Sequence, residues 1–442
     1  MIPMDAAERS EPLSRISAAL RHGNVGGGGA PDRRAVLLAA AAALAATPDV
    51  ALAAPAPLAF ENGLWFDGRA FRPATMFSVD GRFTTRRPRE LARTIDLRGA
   101  WIVPPFGDAH SHSFGLGRPE QERRFAASYM RDGVFYVMSQ GGLPVTATER
   151  TALAINTPAG PDVAFSHATL TSHDSPLQPF TKMVVLGSGY FPSETLASLE
   201  GRRFFSVDGL EELDAKWPLV RAQRPDFIKT YLWNSEGLKL PPIFPFVRPE
   251  QRGLSEPVFR AIVRRAHADG LRVSAHVTTT GDMRLAIDAG ADMLAHAPGF
   301  GALGVGELHT LVQRGIPVAT TSAVAAPILE AMRAKAGAPD PLAILKALKD
   351  HGAWLVIGAD RPEDTSSREA AYLRSLGWWD NAALLRLWAV ETPRAIFPNR
   401  RLGRFAEGYE ASFLALEGDP LVDWAATARI RLRVKQGQVL DT

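Results

Sequence analysis

Between Leu58 and Val103 the chain runs in short apolar stretches, Leu64 to Phe66, Met76 to Val79 and Thr94 to Leu97, stopped by Asp67-Gly68, Asp80-Gly81 and Arg98-Gly99. That texture predicts strands joined by tight turns. It returns from Gly408 to Leu440, with Phe413 to Leu416, Ile430 to Val434 and a turn at Gly437. Neither stretch buries a core alone, so the two are expected to pair into one small β-sandwich built from both ends. The expected boundaries are 54–103 and 402–442 for the sandwich and 104–401 for the region between.

In that middle region, apolar runs of strand length alternate with segments of helical period, the βα pattern of a parallel sheet. The runs are Trp101 to Phe106, Val134 to Met138, Val163 to Phe165, Phe227 to Leu232, Leu271 to Ala275, Met293 to Ala295, Ile316 to Ala319 and Trp354 to Ile357. Eight is the number that closes a barrel, so the prediction is an α/β fold, a TIM (β/α)8 barrel with loop insertions. One helix is marked by Ser255 as N-cap, Glu256 and Pro257 in the first turn, a shared face of Val258, Ile262, Val263 and Ala266, and a stop at Gly270. A second is predicted from Asp282 to Ala289, ending at Gly290.

Composition changes this picture by exclusion. Of 442 residues, 46% are hydrophobic and 22% charged, which is globular. A formal charge of +3, evenly spread, gives no nucleic-acid surface. Cysteine is absent, so disulfides, zinc-thiolate sites and a cysteine nucleophile are excluded, and any metal must be held by His, Asp, Glu or Lys.

The N-terminal segment is expected to lie outside the fold. Arg33-Arg34 leads into an apolar run ending at Ala46, about twelve residues, a signal-peptide length too short to span a bilayer. Ala51-Leu52-Ala53 offers small residues to a signal peptidase, so residues 1–53 are expected to be an export signal cleaved after Ala53. The paired arginines resemble a twin-arginine signal, with Asp32 where Ser or Thr is usual and Val36 where Phe is usual. That implies a periplasmic protein with no membrane partner once the signal is removed.

The chemistry sits at the strand ends. Asp108-Ala109-His110-Ser111-His112 follows the first strand, His276 the fifth, His296 the sixth and Asp360 the eighth, while Lys229 lies within the fourth. In a barrel the C-terminal strand ends share one mouth, so these residues would meet despite their separation. His110 and His112, two apart on extended chain, point to the same side and can clamp one ion.

This ordered set, His-x-His, Lys, His, His, Asp, resembles the amidohydrolase superfamily, within it the imidazolonepropionase-like and prolidase-like branch, from about Leu58 to the C-terminus. The resemblance implies two divalent metal ions, best suited to Zn: one held by His110, His112 and Asp360, the other by His276 and His296. It further implies that carbon dioxide carboxylates Lys229 and that this carbamate bridges them. Three departures stand out: Pro104-Pro105-Phe106-Gly107-Asp108 displaces the usual glycine, Ser412 replaces an aspartate in the closing β segment, and Ala359 precedes Asp360 where Thr or Ser is common.

The implied reaction is hydrolysis by a metal-activated hydroxide, cleaving a carbon–nitrogen bond in a dipeptide, a prolidase-type substrate or an N-acyl amino acid. Asp360 would shuttle the proton and Tyr231, two after Lys229, would donate to the carbonyl oxygen. His167, His173 and Arg361 are candidate substrate contacts, and the Asn234 to Gly253 segment is a candidate lid. His267, His309 and His351 read as structural, and His22 falls in the leader. A cyclic amide, lactone or ester hydrolase with the same centre is the alternative, and an inactive metal-binding homologue a further one. A deaminase fits worse, because His276 is followed by Val277-Thr278-Thr279-Thr280, without the glutamate that branch requires.

Overall fold

The computed structural model describes residues 55–440, apart from 190, 192–193, 241–245, 334–339 and 341. The expected export signal, and His22 within it, therefore lie outside the described residues, as does part of the expected lid. Among the described residues no helix is long and apolar enough to cross a membrane.

The two chain ends build one sheet. It comprises β1 (Leu58–Phe66), β2 (Phe71–Val79), β3 (Arg82–Thr84), β4 (Arg93–Asp96) and β5 (Trp101–Val103), together with the last three strands of the chain, β16 (Phe413–Leu416), β17 (Ile430–Lys435) and β18 (Gln438–Leu440). Its order is β18-β17-β16-β5-β1-β2-β3, with β4 beside β1. The sequence predicted a sandwich; the strands instead form a single eight-stranded sheet that curls on itself. Backbone bonds from Phe83 to the Tyr409 carbonyl and from Gly408 to the Phe83 carbonyl bring its far edge back to the segment before β16. Inside the curl Phe413 meets Phe60 and Trp65 meets Phe405, each edge to face at 4.8 Å, the packing aromatic quadrupoles favour.

The expected first barrel strand, Trp101 to Phe106, is two strands. Trp101–Val103 belongs to the curled sheet, and a new strand, β6 (Phe106–Ser111), begins after Pro104-Pro105. Proline has no N–H to donate to a ladder, so the apolar run breaks there. The parallel strands that follow are β7 (Val134–Ser139), β8 (Asp162–Phe165), β9 (Thr169–Thr171), β10 (Phe204–Ser206), β11 (Phe227–Tyr231), β12 (Arg272–His276), β13 (Met293–Leu294), β14 (Val318–Thr320) and β15 (Leu355–Ile357). The chain then returns to the curled sheet through β16 (Phe413–Leu416), β17 (Ile430–Lys435) and β18 (Gln438–Leu440).

These parallel strands pair as two sheets, β6-β7-β8 and β10-β9-β11-β12-β13-β14-β15, rather than as one closed ladder. One of the two gaps lies within the third strand, and the other separates β15 from β6. After Phe165 the chain turns through His167, whose φ of 54° is left-handed, and resumes as β9. β8 pairs only with β7, whereas β9 pairs with β11 and β10. The Asp226 N–H still reaches the Phe165 carbonyl at 2.7 Å across this break.

Helices cover the parallel strands with the faces the sequence marks. Val258, Ile262, Val263 and Ala266 are buried along the helix Glu256–Ala268, although Ser255 occupies its N-cap without a side-chain hydrogen bond. The next helix starts at Thr280, where Thr279 and Asp282 close a capping box, and Gly290 ends it at φ 89°. The curled sheet is tied to the loop before β8 and to β8 itself by Lys435, whose buried Nζ donates to the Thr157 and Gly160 carbonyls at 2.8 and 2.6 Å and meets Asp162 at 2.6 Å.

Candidate metal centre

His110 sits near the end of β6, almost fully buried, and its Nδ1 lies 2.8 Å from the Ala295 carbonyl at the end of β13. A carbonyl only accepts, so Nδ1 carries the proton and Nε2 presents a lone pair to the cavity. That lone pair faces His112 Nε2 at 3.2 Å and Asp360 Oδ1 at 3.3 Å. His112 Nε2 also stands 3.2 Å from Asp360 Oδ1, and its Nδ1 looks toward the Gly141 carbonyl.

Asp360 reaches the cluster because the chain turns sharply after β15. Its φ is 57°, and its N–H donates to the His110 carbonyl at 2.7 Å. Gly358 permits this approach, since a Cβ there would stand 2.6 Å from the His110 Cβ. Below the pair lies Asp108, which accepts from the N–H groups of His110 and Ala359, both at 3.1 Å, and from the Tyr129 hydroxyl at 3.2 Å. It therefore staples β6 to the end of β15. Burial pushes the Asp108 carboxyl up to about 7, against the pull of those donors.

Other buried carboxylates fix the loops in the same way, by accepting backbone N–H groups. Glu122 holds Gly115, Leu116 and Arg118 after β6. Asp282 collects Asn234 and Ser235 from the loop after β11 and Thr278 and Thr279 from the loop after β12. Glu369 holds Ser322 and Ala323 after β14.

The remaining expected ligands come from β11, β12 and the end of β13. In the β11/β12 ladder Lys229 is paired with Ser274 and Tyr231 with His276, which puts Lys229 and Tyr231 on one face. His276 lies against Tyr231 with ring centres 4.1 Å apart and meets His296 edge on at 4.5 Å. His296 in turn is 4.5 Å from the His110 ring, with Nδ1 2.8 Å from the Thr321 hydroxyl. Ligand atoms of His110, His296 and Asp360 all lie within 4.8 Å of one another. His296 thus reaches Asp360 as well as His276, joining the two groups the sequence assigned to separate ions.

Burial, and then the charge of Lys229 or a neighbouring histidine, holds His110, His276 and His296 well below the ordinary histidine range. All three are neutral, lone-pair donors at physiological pH. Burial brings the Lys229 amine down to about 7. It pushes the Asp360 carboxyl up, but the adjoining His296, the hydrogen bond with His112 and the Lys229 amine outweigh it and keep Asp360 below its ordinary value. Neutral imidazoles, an ionised carboxylate and an amine of lowered basicity form an oxygen and nitrogen donor set suited to divalent cations.

Of the expected substrate contacts, His173 is placed at the surface, its Nε2 2.8 Å from Glu212 and its N–H on Asp208. Arg361 extends toward the acidic side chains of Glu363 and Asp364, at 3.6 and 3.9 Å, as an exposed loop arginine does. His167 is buried, its ring stacked on Phe165 with centres 5.2 Å apart, and its carbonyl accepts from Gly142. The described ends of the expected lid are anchored, by Asp282 at Asn234 and by Arg248 on Asp174 at 2.6 Å. His267, on Asp292, and His351, on the Ala347 carbonyl, are structural as expected.

Two residues of the centre carry no sequence signal. Gln140 lies at the end of β7, with Oε1 2.9 Å from Lys229 Nζ. Trp233 extends the stack of Tyr231 and His276, nearly parallel to both. A glutamine closing an apolar run and a tryptophan after a strand both look like ordinary packing until the strands are assembled.

Searches with family models and against curated proteins return no match to the sequence. Solved structures do match. A. niger ochratoxinase superposes with a TM-score of 0.70 at 18% identity, over 87% of this chain and 95% of that one. The chain has the amidohydrolase fold. Within that fold it is also similar to a prolidase complexed with N-methylphosphonate-L-proline, TM-score 0.67 at 18% identity over 87% and 99% of the two chains. Molinate hydrolase gives 0.68 at 17% identity over 88% and 95%.

Proposed function

We propose that the protein is a metal-dependent hydrolase of a carbon–nitrogen bond, acting on an amide or peptide bond in a dipeptide-like or N-acyl amino-acid substrate. The observation that carries this reading is the meeting of three acceptors, His110 Nε2, His112 Nε2 and Asp360 Oδ1, at 3.2 to 3.3 Å. With Nδ1 of His110 on the Ala295 carbonyl and Nδ1 of His112 toward the Gly141 carbonyl, both Nε2 lone pairs are free to converge with the carboxylate on one cation. Fold neighbours whose names denote hydrolysis of prolyl and other compounds support the same class.

In this reading His110, His112 and Asp360 would hold one ion and His276 and His296 the other, with Lys229, as a carbamate, contributing to both. The all-oxygen-and-nitrogen donor set favours zinc. The parallel strands then correspond to a TIM barrel broken at its third strand, with the metal centre at the C-terminal strand ends.

Such ions, when bound, lower the pKa of a water toward neutrality and polarise the scissile carbonyl. The chain's own groups do the rest. Asp360 takes a proton from the attacking water and returns it to the leaving nitrogen, which must be protonated to depart. Tyr231 donates a hydrogen bond from its hydroxyl to the carbonyl oxygen. Burial, with the Asp282 and Asp360 charges, raises its pKa and keeps that proton in place. The buried carboxylates beneath the loops hold the donors in position, so little reorganisation is needed during the reaction.

The test is turnover of Xaa-Pro dipeptides and N-acyl amino acids by chelator-treated protein before and after zinc, manganese or cobalt is restored in bicarbonate buffer. Amine release that appears only with metal is expected. Amide turnover that persists in metal-free protein, or turnover confined to lactones and esters, would overturn the reading.

A further inference from the structure

Every hydrogen-bonding atom of the Gln140 amide is assigned by its neighbours. Nε2 donates to the Ala109 carbonyl at 2.7 Å, and a carbonyl has no proton to return, so the orientation of the amide is fixed. Oε1 therefore faces the other way, 2.9 Å from Lys229 Nζ and 2.8 Å from Ser274 Oγ. Gln140, Lys229 and Ser274 are 1%, 4% and 1% exposed, so water does not compete for these bonds. The backbone is pinned as well: the Gln140 N–H donates to the Ser111 carbonyl at 2.9 Å, and Gly141 beyond it takes a left-handed φ of 110°.

We propose that Gln140 is a positioning residue for carboxylation of Lys229, its Oε1 accepting the one N–H that the carbamate nitrogen retains. The inference rests on the carbamate reading given above. In the step, the Nζ lone pair forms a bond to the carbon of carbon dioxide, one C–O π pair moves onto oxygen, and one N–H proton leaves to solvent. The product is –NH–COO⁻. Its nitrogen, now conjugated with the carboxyl group, has lost its accepting lone pair and keeps a single donor.

In a dry site that donor needs an acceptor, and an unmet one carries the full desolvation cost of the group. Gln140 Oε1 already stands at bonding distance. Because the carbamate is planar, fixing the direction of its N–H fixes the plane of both oxygens, and the side of Nζ taken by Gln140 is closed to the incoming carbon. A carboxyl group on Lys229 is therefore turned away from β7. The charge of Lys229 is felt by His110, His276 and His296. The next residue, Gly141, presents its carbonyl to His112, so one short segment supports two of the proposed ligands.

The test is carbon-13 NMR of the full chain equilibrated with labelled bicarbonate, with and without zinc, following the carbamate carbon as bicarbonate is titrated. In the Gln140→Leu variant the bicarbonate needed for half-carboxylation should rise roughly ten- to hundredfold. Ser274→Ala removes the other bond to the same oxygen and should stay within about twofold of wild type, which separates this role from general packing. Wild-type carboxylation in Gln140→Leu would overturn the proposal. A missing carbamate carbon in the wild-type protein would instead overturn the reading on which it rests. Should Gln140→Leu not fold, a crystal of the wild-type protein grown in bicarbonate decides. The Lys229 nitrogen bonded to Gln140 Oε1 supports the role, and a carbamate oxygen in that place overturns it.

Discussion

The N–H of Asp360 donates to the carbonyl of His110 at 2.7 Å, locking the end of β15 to the end of β6. Two residues 250 positions apart in sequence are thus set in one frame by a backbone bond, and their side chains meet as a consequence. The left-handed turn at Asp360 is what aims the carboxylate inward, an uncommon conformation for a residue other than glycine.

In the proposed function Asp360 is both a ligand and a proton carrier, and the two roles separate by substitution. Asp360→Asn keeps an oxygen beside the histidines but cannot take up a proton. Turnover should fall about 10²- to 10⁴-fold while most of the metal is retained, read by steady-state kinetics beside elemental analysis. Wild-type turnover would remove the shuttle.

Lys229→Ala removes the proposed bridge. Metal content and activity are expected to fall together, and a small carboxylate such as acetate, diffusing into the space left by the side chain, should restore part of both. Full retention of metal and activity would show that Lys229 bridges nothing.

Gly358→Ala brings a methyl group within 2.6 Å of the His110 Cβ and 2.8 Å of its backbone nitrogen. Neither atom can swing aside. The expected cost is about 1–3 kcal/mol in denaturant unfolding, with weaker metal binding as His110 is displaced. Unchanged stability and affinity would mean that β6 and β15 are not held so closely.

Glu369 predicts a pH effect with a definite sign. Burial raises its carboxyl to about 7, against the Ala323 and Ser322 N–H groups, from 4.5 in the unfolded chain. The folded state therefore binds the extra proton between those values, and this residue's contribution to stability is lost as pH rises from about 4.5 to about 7. Glu369→Gln removes the titration. Urea midpoints of the metal-free protein should fall less steeply, or rise more steeply, with pH in the variant than in wild type. Parallel curves would contradict the assignment.

The positions of the candidate ligands were legible because most stand at or just beyond a strand end, His110 and His112 at β6, His276 at β12, His296 beyond β13 and Asp360 beyond β15, with Lys229 inside β11. The terminal β regions were legible from their Asp-Gly and Arg-Gly turns. The break at Pro104-Pro105 was missed because the apolar run continues through it to Phe106. The split third strand was missed for another reason: β9 and β10 are three residues each, too short to show a period. His173 pairs with Glu212 and Arg361 stands beside Glu363 and Asp364, pairings that the sequence does not reveal. Gln140 and the stapling role of Asp108 could not be read at all, since both consist of hydrogen bonds between strands that meet only in the assembled fold.

The central claim is that these side chains form a two-metal centre, and the most direct measurement is metal per chain by elemental analysis, on protein reconstituted with zinc in bicarbonate and freed of excess. About two ions per chain, lost to a strong chelator together with amide hydrolysis, is the expected result. A protein that retains no metal after reconstitution would contradict the account.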